Sequence, residues 1–393
     1  MLFGDTAKYL MLIFGLMFAT FLMAQQVAVF FGLMNFTTSI LVNVPAPIWV
    51  VEASVEQVNE SNPLRDTDLS LVRSVNSVEW AMPLFSGMQK VRLKDGSLKT
   101  VSLIGIDSTT FAGAPIKIKQ GRLEDLRLPH TVIVDELAIT RLSMGKDRPL
   151  KMGDVFEIND QEARVVGICE ARQSFTGGPY VWTTYDRSLQ YVPATRKMLA
   201  SIIAAPRAGI SNEQAVKDIE RTTGLKAFVN EGFQADQLMS KFGDTTGKYH
   251  IKDFSTSTLW WYIVNTGIPI SFGTTVIVGL VVGIAISSQT FYAFVLENMK
   301  HLGAFKAMGA STWTLCSMLL AQALTVGMVG FGIGLFFVDR FAAVAMKKGV
   351  PPFYMPWQVP VGVFAVIVLI CLFAAMLGII RVARLEPAMV FRG

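Results

Sequence analysis

The stretch ENMKHLGAFKAMGAST occupies residues 297–312 and separates two long apolar runs with a short, partly charged segment. Within it Leu302, Phe305 and Met308 recur at a spacing of three residues, so a helix would carry them on one face. Small residues flank them. Such a helix is suited to a groove on a partner protein. A helix that lies in the membrane interface is the alternative that the pattern leaves open.

The composition indicates a membrane protein. Of 393 residues, 52% are hydrophobic and 17% are charged, and the mean hydropathy is +0.44, more apolar than an ordinary soluble domain. The net charge is +5, but acidic and basic residues are equal in number between residues 45 and 258. The excess therefore lies beside the apolar ends of the chain, where it is a membrane-topology signal. Nucleic acid is excluded as a partner on this ground.

The first apolar run predicts a membrane-spanning helix within residues 1–44. Residues 9–36 are long enough to span a bilayer and are interrupted mainly by Gln25 and Gln26. We predict an uncleaved anchor, because a signal peptide would have a shorter apolar core. An unpaired amide in hydrocarbon is costly, so both glutamines are expected to pack against another helix.

The second apolar run, residues 259–296, is far longer than a hydrocarbon core of about 30 Å requires. We therefore predict one long helix that projects from the membrane as a stalk, with a kink at Gly267 and Pro269. The remaining segments are a third helix at residues 313–345, a short outer loop at residues 346–358, and a fourth helix with a tail at residues 359–393.

Small residues in the second helix predict close packing between helices. Gly279 and Gly283 lie four residues apart, a spacing that lets two backbones approach closely. We assign this pair, with the two polar side chains of the first helix, to packing between two copies of the chain. The residues assigned to dimer packing are Gln25, Gln26, Gly279 and Gly283.

Residues 45–258 have the composition of a water-soluble domain in which strands and helices interleave. Asp95-Gly96 lies between two alternating runs and predicts a β-hairpin. A second hairpin is expected within residues 153–169, and a helix is expected after Ser211, whose side chain can cap it. The predicted fold is therefore a membrane protein of four transmembrane helices, with a large extracytoplasmic α+β domain inserted between helices 1 and 2.

Basic residues beside the spans predict the orientation. Six lie at the first helix, in residues 297–312 and in the tail, whereas three lie in and beside the short opposite loop. Because the more positive side faces the cytoplasm, both termini and residues 297–312 are expected there, and the large domain outside.

Motifs of soluble enzymes are absent from the sequence. It contains no GxxxxGK[ST] loop, HExxH or GxSxG. Its three histidines are far apart, its three cysteines are too few for a disulfide framework, and Cys169 is expected to be a small buried residue. We predict no catalytic residue, no metal site and no directly bound cofactor. Energy for transport would have to come from another protein.

Several motifs carry a family resemblance. HLGAFKAMGA at residues 301–310 resembles the EYGxLKAxGA stretch after the second helix of FtsX/MacB-type ABC transporter permeases, and RLEPAMVFR at residues 384–392 resembles their closing RLxPAxALR. His301 stands where the family usually has an acidic residue. The first helix looks most like the DevC branch, whose permease has no fused ATPase. Outer-domain motifs that follow the family's periplasmic core domain lie at residues 121–122, 132–135, 150–153 and 163–167.

The resemblance implies a homodimeric permease of the bacterial inner membrane with its large domain in the periplasm. Two copies of a separate ATPase would carry ATP and Mg, and their closure would move the outer domains, a motion called mechanotransmission. A periplasmic adaptor, an outer-membrane channel and membrane lipid are the further partners implied. The residues assigned to ATPase coupling are Glu297, Lys300, His301, Leu302, Phe305, Lys306 and Met308.

Three functions remain open at this point. The first is an exporter permease for glycolipid, haem, peptide or drug. The second is lipoprotein release, which would need an apolar groove for acyl chains on the outer domain. The third is a transmitter without transport that switches a cell-wall hydrolase or a sensor kinase; the resemblance disfavours it, because the cell-division members have a smaller outer domain. An anchored enzyme is disfavoured because one span would suffice.

Overall fold

The computed structural model describes residues 6–143, 148–175, 177–193, 198–231, 253–348 and 351–383. The chain forms two compact units. We call Leu33–Thr266 the outer domain, and Met1–Gly32 with Gly267–Gly393 the helical unit. The closing motif at residues 384–392 lies outside the described residues.

The outer domain is built on a ten-stranded sheet with the strand order β10-β1-β9-β2-β3-β8-β5-β7-β4, and β6 pairs with β2 and β7. Neighbouring strands are antiparallel except for the pairs β3–β8 and β5–β7. The strands are β1 Ile48–Val51, β2 Val78–Arg92, β3 Leu98–Ile106, β4 Lys117–Gly121, β5 Thr131–Asp135, β6 Val155–Ile158, β7 Gln161–Glu170, β8 Tyr180–Thr184, β9 Ser201–Pro206 and β10 Lys226–Val229.

Helices lie before, between and after these strands. A 3₁₀ helix at Leu123–Arg127 precedes β5. The α-helices within the described ranges are α1 Thr6–Thr37, α2 Ser39–Asn43, α3 Asp66–Ser74, α4 Glu136–Arg141, α5 Tyr185–Gln190, α6 Asn212–Thr223, α7 Phe254–Asn265, α8 Ile268–Glu297, α9 Met299–Ala307, α10 Thr312–Lys348 and α11 Gln358–Ala383.

Apolar side chains on both faces of the sheet form the core of the outer domain. In β1 they alternate: Ile48 and Val50 join one buried cluster, and Trp49 and Val51 join another. Successive side chains of a strand point to opposite faces, so β1 is covered on both sides. This explains why its run of four residues is uniformly apolar and fully buried.

The two hairpins and the helix cap predicted for the outer domain are confirmed. β2 and β3 form the hairpin around Gly96, whose φ is +79°. β6 and β7 form the second hairpin. The Ser211 side chain accepts a hydrogen bond from the Gln214 backbone N–H at 3.2 Å and caps α6. The sequence did not predict β4 or the first half of β2.

The helical unit contains four helices long and apolar enough to span a membrane. The candidate spans are Lys8–Thr37, Ile268–Glu297, Thr312–Met346 and Gln358–Ile380. The first of them continues into the outer domain, since the boundary between the units falls within α1.

Residues 259–296 do not form one continuous helix, but the interruption lies where the sequence predicts a kink. Two helices occupy this stretch, because α7 ends at Asn265 and α8 begins at Ile268. Thr266 between them is extended, with φ −118° and ψ 154°. Pro269 lies in the first turn of α8, where its missing N–H leaves no helical hydrogen bond unmade. The proline thus helps to begin a helix instead of bending one.

Candidate functional site

A single residue joins α8 to α9. The Asn298 backbone N–H donates to the Phe294 carbonyl at 3.2 Å, and its side-chain amide donates to the same carbonyl at 2.8 Å. The Asn298 carbonyl in turn accepts the Leu302 N–H at 3.0 Å, the first bond of α9. Since these bonds satisfy backbone groups at both helix ends, the chain turns here without an irregular loop.

The other end of α9 is a tight return to α10. Gly309 has a φ of +95°, a left-handed conformation that glycine adopts without steric cost. The Ala310 N–H donates to the Phe305 carbonyl at 3.0 Å and so closes the turn. The Ser311 side chain then accepts the Thr314 N–H at 3.1 Å at the start of α10. Residues 297–312 are thus a defined helix between two tight connections.

The structure separates the three large apolar side chains that the sequence places on one face. Leu302 is fully buried within the helical unit, whereas 41% of Phe305 and 73% of Met308 are exposed. Each step of three residues falls about 60° short of a full turn, so Leu302 and Met308 lie about 120° apart. The prediction that all three fill a partner's groove is therefore wrong for Leu302, which holds α9 onto its own protein.

The charged residues assigned to coupling have different surroundings. Lys300 and His301 are exposed, and Lys306 is half-buried. Glu297 forms an ion pair with Lys8 at the start of α1. Sequence reasoning missed this contact because the two residues are 289 positions apart. The ion pair connects the beginning of α1 to the end of α8, directly beside α9.

Two family models cover most of the chain. The MacB-like periplasmic core domain matches residues 9–222, and the FtsX-like permease C-terminal domain matches residues 255–387. The chain belongs to the FtsX/MacB-type family of ABC transporter permeases. The α9 segment lies inside the FtsX-like match.

Three known proteins are similar to this permease. An uncharacterized ABC transporter permease of Mycobacterium tuberculosis is 25% identical over 343 residues, which are 85% of this chain and 80% of the relative. The macrolide export ATP-binding/permease protein MacB of Hahella chejuensis is 22% identical over 279 residues, 68% of this chain and 39% of that longer protein. The crystal structure of the periplasmic region of MacB from Actinobacillus actinomycetemcomitans aligns with 54% of this chain and all of that one, at 18% identity and a TM-score of 0.37.

The family and the four apolar helices indicate where in the cell the permease lies. It is an inner-membrane protein whose large domain lies in the periplasm. The homologues imply a partner ATPase.

The glycines assigned to dimer packing are covered by helices of the same chain. A Cβ atom at Gly283 would lie 2.9 Å from the Ala19 Cβ of α1 and 3.2 Å from Ile370 of α11. At Gly279 it would meet Met23 of α1 at 3.4 Å. The predicted close packing exists, but the assignment of these two residues to a dimer face is corrected: the packing takes place within one permease chain.

The two glutamines of the first helix lie in a different environment. Gln25 and Gln26 are both half-buried. Neither side chain makes a hydrogen bond to another described residue. A side-chain amide without a hydrogen bond in an apolar helix is a candidate for contact with a helix of a second chain.

Hydrogen bonds hold the end of α2 firmly in the outer domain of the permease. The Asn43 side chain donates to the Arg172 carbonyl and accepts the Arg172 N–H, both at 2.8 Å. The Asn230 side chain donates to the Leu41 carbonyl at 2.9 Å and to the Ala46 carbonyl at 3.1 Å. These four bonds tie α2 and the residues directly after it to the segments that follow β7 and β10.

Helix α7 is attached to the same domain by a stack of aromatic rings and by its cap. The ring of Phe254 is parallel to that of Phe228, with centroids 4.2 Å apart, and it meets Trp49 edge-on at 6.1 Å. The Asp253 side chain accepts the Thr256 N–H at 3.1 Å. The helical structure is interrupted after this anchored helix, at Thr266, and resumes in α8.

Two buried titratable groups have structural roles. Asp135 accepts the Tyr180 N–H and the Ala138 N–H, both at 3.0 Å, and caps α4. Burial raises the pKa of its carboxyl to about 7. Burial also raises the pKa of the Cys169 thiol, and Cys169 is buried as the sequence predicts. Among the described residues no group of histidine, cysteine and acidic side chains could hold a metal ion.

Proposed function

We propose that this chain is the permease subunit of an ABC exporter and that it transmits motion from a separate ATPase to its periplasmic domain. In this proposal ATP and Mg are bound by the ATPase, and α9 is the element that docks on it. Two copies of the permease form the membrane part of the complex, and a periplasmic adaptor and an outer-membrane channel complete a tripartite efflux or glycolipid export system. Membrane lipid surrounds the spans.

The observation that carries the proposal is the exposed end of α9. Phe305 and Met308 project from a helix whose other side is held by fully buried Leu302. A short cytoplasmic helix with an anchored side and a large apolar exposed side is suited to a groove on another protein. Lys300 and His301 lie beside this surface and would form its polar rim.

The connections of α9 suggest how motion would leave it. Asn298 ties α9 directly to the end of α8, and the Lys8–Glu297 ion pair ties the same point to α1. Both helices lead along the chain to the outer domain, whose ends at α2 and α7 are fixed by buried hydrogen bonds and stacked rings. A displacement of α9 would therefore pass to α1 and α8, of which α1 continues into the outer domain without a break and α8 is joined to it across the break at Thr266. Gln25 and Gln26 are proposed to contact the second copy.

Lipoprotein release is the less favoured alternative. It would need an apolar groove for acyl chains on the outer domain. One cavity of this domain, of about 620 Å³, is lined by Ser, Thr, Arg, His, Asp and Gln side chains, with one Pro. A smaller cavity of about 270 Å³ has the charged side chains of Lys117, Glu170 and Arg172 in its lining. Both linings suit a polar partner better than an acyl chain.

Co-purification tests the docking surface. The tagged permease is expressed with the ABC ATPases of its own organism, beginning with any that is encoded beside it, and extracted in detergent. We compare wild type with Phe305→Asp and with Leu98→Asp, which places the same charge at an exposed leucine on the outer domain. We expect wild type and Leu98→Asp to retain an ATPase and Phe305→Asp to lose it.

Other outcomes separate the alternatives. If Phe305→Asp keeps the ATPase, α9 lies in the membrane interface and docking involves another surface. If wild type retains no ATPase from the full set, the transporter proposal itself fails. Equal loss in both variants would point to general destabilisation, which the thermal unfolding midpoint of each purified variant would reveal.

A further inference from the structure

A polar pocket of about 620 Å³ opens in the outer domain where two parallel strands end. β3 and β8 are neighbours, and their last residues, Ile106 and Thr184, are directly paired. The loop after β3 lines the pocket with Ser108 and Thr109, and α5, which follows β8 directly, lines it with Arg187. Crevices beyond the carboxyl ends of parallel strands are common ligand sites in α/β sheets, because loops from both strands converge there.

Arg187 fixes one side of this pocket. Its Nη1 atom donates to the carbonyls of Leu126 at 3.0 Å and Thr131 at 3.1 Å, and its Nη2 atom donates to the Leu128 carbonyl at 2.7 Å. These bonds hold the guanidinium rigidly, but every named acceptor is a neutral carbonyl. Burial lowers the pKa of Arg187, as expected for a cation removed from water without a compensating negative charge.

Arg127 also lines the pocket and is likewise held by neutral groups. Its Nε donates to the Ser108 carbonyl and its Nη2 to the Thr109 carbonyl, both at 3.1 Å, and its guanidinium lies 4.6 Å from the centre of the Phe111 ring. The turn that carries these carbonyls is itself fixed, because Asp107 accepts the Thr109 N–H at 3.0 Å. A guanidinium has five N–H donors, so Arg127 keeps three for another partner.

The charges around the pocket are unbalanced. Within the described part of the chain, neither Arg127 nor Arg187 forms an ion pair. His130 also lines the pocket, and Asp186 is the acidic residue of the lining. Two preorganised guanidinium groups that face a wet cavity of this size match the charge and geometry of an oxyanion, which accepts paired N–H donors from arginine.

We propose that this pocket binds the phosphate or carboxylate group of a small soluble anion. Arg127 would contact the anion through its remaining donors, and Arg187 would supply a fixed positive charge behind it. The site lies entirely in the outer domain, so the proposal does not depend on the docking of an ATPase at α9.

Calorimetric titration of the full-length protein in detergent tests the site. Inorganic phosphate and acetate are the two probes, each titrated at constant ionic strength with sodium chloride as the blank. The variants are Arg127→Gln and, as the matched control, Arg221→Gln on α6, where the arginine side chain is 83% exposed and lies outside the pocket. We expect one of the two anions to bind wild type and Arg221→Gln alike, and Arg127→Gln to bind it at least about ten-fold more weakly.

A second measurement avoids dependence on a variant's folding. Phenylglyoxal modifies accessible guanidinium groups, and mass spectrometry reports the rate at each arginine of the wild-type protein. The bound anion should slow modification at Arg127 and leave Arg221 unchanged. Absence of binding by both anions to wild type, equal affinity of Arg127→Gln and wild type, or equal protection of the two arginines would each overturn the proposal.

Discussion

The outer domain and the helical unit are held together by different means. In the outer domain the largest buried side chains include Trp49, Trp182 and Phe156, which fill the space around a continuous sheet. In the helical unit, glycines bring the helices together. A Cβ atom at Gly330 of α10 would lie 2.8 Å from the Leu16 Cβ of α1, and one at Gly334 would lie 2.7 Å from the Thr20 Cβ.

The difference follows from the solvent of each unit. In water, burial of large apolar side chains is the main driving force, so the outer domain gains stability from bulk in its core. Lipid tails are as apolar as leucine, so a membrane helix gains little from burying such a side chain and more from close backbone contact. Most positions of the outer domain should therefore be sensitive to cavities and unpaired polar groups, and most positions of the helical unit to added volume. Gly121 and Leu302 are exceptions to this rule, one in each unit, and they test it.

The largest predicted effect tests this contrast inside the outer domain, at a position where a glycine decides the packing. Gly121 has a φ of +82°, and a Cβ there would lie 2.0 Å from the Val166 carbonyl oxygen. We expect Gly121→Ala to destabilise the protein by about 4 kcal/mol, the combined cost of a left-handed residue and a backbone clash. Gly153→Ala is the matched control, because its φ is +85° with nothing within 4 Å. It should cost about 1 kcal/mol.

Thermal unfolding in detergent, followed by circular dichroism, measures both variants. If Gly121→Ala and Gly153→Ala shift the midpoint equally, backbone strain alone decides the effect. Close approach of β4 to β7 at Gly121 would then not matter, and the structural account of this edge of the sheet would be wrong.

The second prediction tests the contrast at α9, where a large buried side chain lies in the helical unit. Leu302→Ala should destabilise the protein by about 3 kcal/mol, because the cavity left by a fully buried leucine is not refilled. Phe305→Ala should destabilise the protein by less, about 1 kcal/mol, because 41% of Phe305 is exposed, yet abolish stimulation of the partner ATPase. Unfolding midpoints and ATPase rates of the reconstituted complex measure the two effects. Equal stability losses would contradict the different roles of these residues.

The third prediction concerns a buried polar group of the outer domain. The pKa of Asp135 is about 7 in the folded protein, against about 3.9 in an unfolded chain. Between these values the folded state holds more protons than the unfolded state, so the contribution of Asp135 to stability falls as the pH rises from about 4 to about 7. From pH 5 to pH 7, wild type should lose about 2 kcal/mol relative to Asp135→Asn.

Unfolding midpoints at a series of pH values check this prediction. Glu79→Gln is the control, because Glu79 is exposed and does not contribute to the shifted pKa of Asp135, so its removal should leave the pH dependence of wild type unchanged. A constant difference between wild type and Asp135→Asn across the range would show that the carboxyl does not titrate there.

The smallest predicted effect is that of the ion pair between Lys8 and Glu297. The two side chains are 30% and 56% exposed, so water screens much of their attraction. A double-mutant cycle of Lys8→Gln and Glu297→Gln should give a coupling energy below about 1 kcal/mol in unfolding measurements. A coupling of several kcal/mol would mean that this contact, and not close helix packing, holds α1 to α8.

Predictions from short stretches of sequence were correct where a residue type has one well-defined structural role. Gly96 follows Asp95 in the first hairpin and adopts the left-handed conformation that the turn requires. Ser211 caps α6 as predicted. The apolar runs gave four candidate spans because a bilayer imposes their length directly.

The errors share a cause. Periodicity shows which residues share a helix face, but it does not show what packs against that face. The spacing of Leu302, Phe305 and Met308 was visible, but only the packing of α9 turns Leu302 inward. Gly279 and Gly283 were correctly expected to pack closely, whereas the helix that covers them is α1 of the same chain. β4 was missed because its five residues, Lys117–Gly121, are mostly polar and lie at the edge of the sheet.

By itself the sequence determined the membrane spans, the position of the outer domain between the first two of them, and the short patterned segment at residues 297–312. Each of these depends on composition or on spacing between near neighbours. Only the tertiary structure decided the order of the strands, the break at Thr266, the Lys8–Glu297 ion pair and the meeting of Arg127 with Arg187 at one pocket. These features depend on contacts between residues far apart in the chain, which no local pattern records.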